Sequence, residues 1–462
     1  MTPARARRRG GLLWHRKFRL LWIGETISGA GSSMAAIGVP LLAVTALRAS
    51  TFAVSTLTAA AYLPWLVIGL PVGAWVDRLA TRPLMIACDL ISALLYASLP
   101  VAAWLGVLDT AQVVAVALLA GAANVFFATA YQVYLPSLVT AADLVEGNAK
   151  LQGGAQVASI GGRGLAGLAA EAIGAAPALL FNSASFLVSA ACLLRIRPAS
   201  PAVPDLPAVP DLPAGPDLPA VPDLPAGPDL PAGPPLRGRL YDQTWEGIRF
   251  VARDRYLRFF TGYAAVSNLA YTGNLALVVV FLIRVVGLSP GAVGVLTATS
   301  GLGGLLGALV ARRLARVLGT ARALLLTTLG CGLSGLLIPL TAKGPRLACY
   351  VAGSALVAGG IVIGNVILGS FRQEYCPPAM LGRVTASMRF LAYGAIPLGA
   401  LLAGALGTAL GVRNGLWAIL AVFCASGLFL LSRDIRTVRD LPHQPPTPSA
   451  PATSPHQPEY RR

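Results

Sequence analysis

Charge is what this sequence has least of. Only 12% of its residues are charged while 55% are hydrophobic, against roughly a quarter charged in an average protein. A water-soluble protein of 462 residues could not clothe its surface with so few charges. A soluble enzyme, a disordered chain and a disulfide-rich secreted domain are therefore excluded. Histidine is nearly missing, and His15, His443 and His456 all lie in polar tails. The six cysteines (Cys88, Cys192, Cys331, Cys349, Cys376, Cys424) form no CxxC, so neither a disulfide framework nor a zinc site is implied. No G-x-x-x-x-G-K-S/T occurs, which excludes ATP hydrolysis by this chain. No cofactor and no metal are expected.

Apolar runs are what the sequence has in abundance. A membrane-spanning helix takes roughly 20 apolar residues. Twelve runs fit: 20–46, 53–76, 83–105, 110–136, 150–172 and 177–194, then 259–283, 291–311, 322–341, 347–371, 384–408 and 414–432. The first run is too long for a signal-peptide core and lacks a clear small-residue cleavage site, so it is expected to be retained. An even number of spans puts both termini on one side. Of the 36 Lys and Arg residues, 30 fall on that side, 5 on the other, and Arg163 lies inside a span. The positive-inside rule then places both termini in the cytoplasm of a multi-pass inner-membrane protein. The same bias accounts for the net charge of +17 without nucleic acid.

The expected organisation has five parts. A basic cytoplasmic tail covers 1–19, and a six-helix bundle covers 20–197. A Pro-rich linker over 198–236 repeats the hexapeptide PAVPDL or PAGPDL. Proline at every third position is the polyproline II period, giving a semi-rigid spacer of up to roughly 110 Å. A docking strip for a proline-binding partner is the other reading of the linker. A second six-helix bundle over 237–440, led by an amphipathic cytoplasmic helix, precedes a disordered cytoplasmic tail over 441–462.

The two bundles echo each other. Gly73, Asp77, Arg78 and Arg82 spell G-x-x-x-D-R-x-x-x-R after the second span. Moving on 234 positions gives Gly307, Ala311, Arg312 and Arg316 after the eighth, with only the acid lost. A fainter echo pairs Leu144 with Leu381, 237 positions apart. Duplicated six-span halves are typical of secondary transporters, whose substrate site lies between the halves at mid-membrane.

At these residues the chain resembles the major facilitator superfamily. GAWVDRLATRP (73–83) resembles the superfamily's signature between helices two and three. YLPSLVTAADLVEGNA (134–149), EGIRFVARDRYLR (246–258), residues 285–319, FRQEYCPPAMLGRVTAS (371–387) and IPLGALLAG (396–404) are similar to a drug- and siderophore-exporter branch that includes enterobactin exporters and macrolide efflux pumps. The resemblance implies an all-α polytopic fold of twelve transmembrane helices in two pseudo-symmetric bundles. It also implies that the signature loop, with Gly73, Asp77, Arg78, Arg82 and their echoes Gly307, Arg312 and Arg316, gates the cytoplasmic side. There are departures: Gly162-Arg163-Gly164 stands where many exporters carry Gly-Pro, and span four lacks the arginine of many proton-driven exporters.

Inside the spans charge is sparse: Glu25, Asp89, Arg163 and Glu171. A central Asp or Arg costs about 2.5–3.5 kcal/mol to insert, so each is expected to be paired, hydrated or in use. Glu25, Ser28 and Ser32 form one polar stripe on span one. Glu25 is the first candidate for proton coupling or cation contact; a buried Glu25–Arg163 pair is the equal alternative. Asp89 on span three is expected to serve helix packing, and Glu171 to lie near the outer surface. Gly69 and Gly73, in a G-x-x-x-G spacing, would permit close helix approach. Arg389 is expected to snorkel to the interface. The expected cavity residues are Asn124, Phe127 and Tyr131 on span four, Asn268, Tyr271 and Asn274 on span seven, and Asn365 on span ten.

The reading is a secondary-active exporter of small amphipathic organic molecules, driven by protons and acting as a monomer in the lipid bilayer. Importers share the fold. A non-transporting scaffold or membrane enzyme is disfavoured by the lack of clustered ligands or a nucleophile–base pair.

Overall fold

The computed structural model describes residues 11–69, 71–76, 78–139, 143–196 and 248–442. The start of the basic tail, Asp77, the Pro-rich linker and most of the C-terminal tail lie outside the described residues. The described residues form helices and turns, with no strand among them.

Six long helices build each half. The first half is α1 (Arg16–Thr45), α2 (Thr51–Val67), α3 (Thr81–Trp104), α4 (Thr110–Leu138), α5 (Leu144–Ile173) and α6 (Ala175–Arg195). The second is α7 (Arg255–Val280), α8 (Pro290–Leu318), α9 (Thr320–Gly335), α10 (Leu347–Tyr375), α11 (Pro378–Ala409) and α12 (Val412–Ser426). Ten of the twelve are long and apolar enough to cross a membrane, counting the short helical turns that extend α7, α9, α10 and α12. The other two have plain reasons. Only 17 residues make up α2, and a short helix, Val72–Val76, follows it. Four charges (Glu146, Lys150, Arg163, Glu171) and many glycines sit on α5; it packs against α1 on one side and α8 on the other. A helix sheltered by protein tolerates polar groups that a lipid-facing one would not.

Local chemistry sets several helix starts. Ser50, Asp109, Asp254 and Ser289 accept from the backbone N–H groups of Ala53, Gln112, Leu257 and Ala292, each satisfying a free donor at an N-terminus. Prolines sit inside α1, α2, α3, α4 and α11; neighbouring helices can compensate such breaks in a membrane bundle. The tight α5–α6 and α11–α12 turns both use a left-handed glycine, Gly174 (φ 92°) and Gly411 (φ 84°). These glycines stand 237 positions apart, so the fainter sequence echo has a backbone counterpart.

The packing repeats with a shift of six helices. α1 packs on α5 and α6, and α7 on α11 and α12. α3 packs on α4 and α6, and α9 on α10 and α12. α2 packs on α4, and α8 on α10. Across the halves, α2 meets α11 and α5 meets α8. Each of these pairings has its partner six helices on, which is the pattern of a pseudo-twofold relation between duplicated halves. The outside of the assembly is apolar, with Leu94, Leu165, Leu306 and Leu309 among many exposed large side chains. Such a surface suits lipid and not water.

The bundle has two unlike ends. We call the end where α1 begins the terminal end, and the end where α1 turns into α2 the far end. Near the far end one core joins the halves: Met34, Ile37, Leu41, Ala166 and Ala170 pack in one cluster with Leu277, Val278, Phe281, Leu282 and Val293. A second cluster sets Val280 among Leu42, Leu57, Leu99 and Leu179. At the terminal end the cores are separate. Phe18, Leu21, Met85, Leu135 and Leu193 belong to the first half alone, and Phe260, Leu324, Phe371, Tyr375 and Ile435 to the second.

The repeated signature is not conformationally equal in the two halves. The expected eighth span ends at residue 311, with Arg312 and Arg316 in a loop beyond it. The helix instead runs unbroken to Leu318, so Gly307, Arg312 and Arg316 all lie on α8. The first copy is interrupted after Val67, where Gly69 and Pro71 follow, and proline cannot continue a helix by backbone bonding. The expected close approach at Gly73 is absent: a Cβ built there meets nothing within 4 Å. Close approach occurs at the echo, where a Cβ on Gly307 would run into the backbone of Gly359 on α10.

Candidate functional site

A cavity of about 880 Å³ lies between the halves, large enough for a drug-sized molecule. α1 supplies Glu25, Ser28 and Ser32, α3 supplies Asp89, and α4 supplies Asn124, Phe127 and Tyr131. Arg163 reaches it from α5, and Tyr271 and Asn274 from α7. Gln132, Asn148, Gln152 and Arg389 extend its wall toward the terminal end. A smaller pocket of about 190 Å³ runs between α5, α8 and α10 and shares Arg163, Tyr271 and Ser300 with the main one.

Two predicted cavity residues do not belong to it. Asn365 is exposed on α10. Asn268 is half-buried but does not line either pocket. The helical period explains the second: residues three apart drift by roughly 60° per step, so Asn268, Tyr271 and Asn274 span too wide an arc to face one chamber.

Each of the two cavity carboxyls has a buried oxygen. Glu25 Oε1 and Asp89 Oδ2 are shielded from solvent and meet no hydrogen-bond partner. Asp89 and Tyr131 are the titratable neighbours of Glu25. Asp89 is only 2% exposed and lines the cavity, where the sequence suggests packing at the bundle's periphery. Asn274 Oδ1 is likewise buried without a partner.

The Glu25–Arg163 pair considered above does not form. Arg163 Nη1 donates instead to Ser300 Oγ of α8, at 2.7 Å. Helix register is the reason. Gly154 of α5 packs on Trp22 and Thr26 of α1, whereas Gly162 packs on Ala30 and Ser33. Arg163 therefore lies about two turns beyond Glu25 along parallel helices, roughly 10 Å at 1.5 Å per residue. Its surroundings are phenolic: Tyr62 and Tyr350 both feel its charge, and Tyr271 neighbours both.

Polar ties join the halves nearer the far end. Glu171 Oε2 accepts from Ser289 Oγ (3.0 Å) and from the backbone N–H of Gly291 (2.7 Å). A carboxylate of one half thus faces the first turn of α8 in the other, where the helix dipole favours an anion. Arg284 Nη2 donates to the carbonyl of Ala49 at 2.6 Å. Gly167 and Gly294 let α5 and α8 touch backbone to backbone about one turn inward of the Glu171 tie.

The signature residues occupy the terminal end. Arg82 donates from Nε and Nη2 to the carbonyls of Leu193 and Leu194, both at 2.9 Å, placing a cation on the last carbonyls of α6. Arg78, Arg312 and Arg316 are exposed; Arg316 Nε donates to Arg312 O along its own helix at 3.4 Å.

Sequence reasoning missed several wall residues. Tyr62 and Trp65 of α2, Thr297 and Ser300 of α8, and Tyr350 and Ser354 of α10 all line the main cavity. Ser300 and Thr297, three residues apart on a glycine-rich helix, are the one signal that could have been read. Arg389 lines the cavity in place of the expected reach toward lipid headgroups.

Known proteins match this arrangement in sequence and in fold. The chain is 28% identical over 406 residues to the multidrug efflux pump Tap of Mycolicibacterium fortuitum, covering 85% of this chain and 90% of that protein. A mutant of the nucleoside transporter NupG superposes with a TM-score of 0.71 at 11% identity, covering 90% of this chain and 99% of that one. A bacterial homologue of the human lysosomal transporter Spinster, inward-facing and unoccupied, gives a TM-score of 0.66 at 13% identity, covering 90% and 95%. Residues 21–400 match the Major Facilitator Superfamily. Duplicated packing, a chamber between the halves and a family match over most of the chain agree, and the protein belongs to the Major Facilitator Superfamily.

Proposed function

We propose that this protein exports small amphipathic organic molecules in exchange for protons, by alternating access. The observation that carries the reading is the chamber between the halves, bounded by one shared core near the far end and by separate cores at the terminal end. With the termini in the cytoplasm, as the Lys and Arg bias argues, this arrangement is the inward-facing state. Likeness to a named efflux pump supports the outward direction.

Each group has a role in this reading. Glu25 carries the coupling proton, with Asp89 beside it. Both have an oxygen that is buried and unpartnered, and an unpaired buried charge is costly. A proton removes that cost, so the loaded carboxyl favours closure of the chamber around it. Ser28, Ser32, Asn124, Phe127, Tyr131, Tyr271 and Asn274 contact the cargo: rings supply area and polar groups supply orientation. The cargo shifts the balance of states only through its different affinity for each. Asp77, Arg78 and Arg82, with Gly307, Arg312 and Arg316 on α8, act at the cytoplasmic gate. The Pro-rich linker is a cytoplasmic spacer between the two halves, and the protein works as a monomer.

Export of candidate compounds from cells expressing the protein, with and without a protonophore, tests this. Protonophore-sensitive export that Glu25→Gln abolishes at equal expression is the expected result. Uptake of a metabolite into the same cells would favour the importer reading, to which the fold shared with a nucleoside transporter also lends itself.

A further inference from the structure

We propose that the chamber selects cargo bearing an acidic group, an amphipathic organic anion whose carboxylate docks on Arg163. The proposal rests on the transporter reading only in taking the chamber as the place where cargo sits.

Four observations lead here. First, Arg163 lines both the main cavity and the smaller pocket beside it, so it stands where the two spaces join. Second, it is no half of an ion pair with a cavity carboxyl. Its hydrogen bond among the described residues is to the neutral Ser300 hydroxyl, and a guanidinium has five N–H donors to place. Third, phenols feel its charge, Tyr62 and Tyr350, and Tyr271 neighbours both and lines the two pockets with Arg163. Fourth, the carboxyls Glu25 and Asp89 neighbour each other at a different depth of the same chamber.

The chamber therefore has two poles. One is a carboxyl pair that can take a proton. The other is a fixed cation with the phenols Tyr62, Tyr271 and Tyr350 in the same chamber wall. An intramembrane arginine is expensive, and a purely structural strut between α5 and α8 would need only the one bond to Ser300. A planar guanidinium with free donors matches a carboxylate; the chamber's other guanidinium, Arg389, lies in its wall toward the terminal end, away from the second pocket that Arg163 also lines. Tyr271 lines the same pocket and carries a hydroxyl that can donate as well, while the Ser300 hydroxyl accepts from Arg163 and donates to the carbonyl of Thr297. The aromatic walls beyond (Tyr62, Trp65, Phe127) suit the apolar body of such a molecule.

The test is equilibrium binding to the purified full-length protein, using a matched fluorescent pair: dansylglycine, which carries a carboxylate, and its neutral amide, dansylglycinamide. Wild type should bind the acid at least tenfold more tightly than the amide. Arg163→Gln should bring that ratio near one, and Arg163→Lys should keep part of it, because a lysine retains charge but not the fork. Arg346→Gln, which removes an equal charge from the exposed far-end surface, should leave the ratio as in wild type. Monodispersity and melting temperature establish that each variant is folded. Equal binding of acid and amide by wild type, binding of neither, or an unchanged ratio in Arg163→Gln would overturn the proposal. The result is separable from the export reading. An acid preference lost in Arg163→Gln, found together with no efflux in cells, would defeat export and leave this inference standing.

Discussion

The far and terminal ends of this bundle are built from the same duplicated helices yet are packed in opposite ways. Near the far end, side chains of both halves share one core, glycines bring α5 and α8 into backbone contact, and Glu171 and Arg284 reach across. At the terminal end each half closes on its own core, and Arg82 spends its donors within its own half. The difference is between an end where the halves share one core and an end where each keeps its own. Large apolar burial is hard to separate, whereas a few charge-assisted bonds can be traded within a conformational cycle.

Breaking the far-end joint should have the largest effect. Gly167→Leu puts a side chain against the backbone of Pro290 and Gly294. It should abolish transport while the protein still reaches the membrane, as measured by export at matched surface expression. Next comes a contrast between pseudo-equivalent glycines. Gly307→Ala must push into Gly359 and should cost about 1–3 kcal/mol in thermal unfolding, as overpacking does. Gly73→Ala meets open space and should stay within about 0.5 kcal/mol of wild type. The paired change Glu171→Gln with Arg284→Gln weakens only the polar ties. With partial exposure it should shift the balance of states by roughly fivefold, about 1 kcal/mol, read by spin-label distances. Smallest is Arg82→Gln, which removes the cation from the last carbonyls of α6. It should lower stability by about 0.3–1 kcal/mol, read as a shift in melting temperature.

Much of this architecture was legible in the sequence because membrane burial leaves a strong signal. Runs of apolar residues located the twelve helices, and the repeated signature showed that the two halves echo each other. What escaped was set by tertiary register. Nothing in the sequence says that α8 continues through Arg312 and Arg316, since a basic tripartite run reads as a loop whether or not the helix goes on. Asn268 and Asn365 carry the right chemistry on the wrong faces. Opposite charge points to a carboxylate as the partner of Arg163, but Glu25 lies two turns away and Ser300 sits alongside. Glu171 is exposed at the far end of α5. Its bond to the first turn of α8 depends on a packing of α5 against α8 that no local pattern announces.

The central claim is that the two halves tilt about the chamber, so that one end closes as the other opens. Spin-label distances test it most directly, with one pair across the far end (Val107→Cys and Lys343→Cys) and one across the terminal end (Leu79→Cys and Val317→Cys), all at exposed positions in a background free of native cysteine. On lowering the pH or adding a transported compound, the far-end distance should lengthen in the same fraction of molecules in which the terminal-end distance shortens. Distances that stay fixed at both ends while transport proceeds, or that lengthen together, would contradict it.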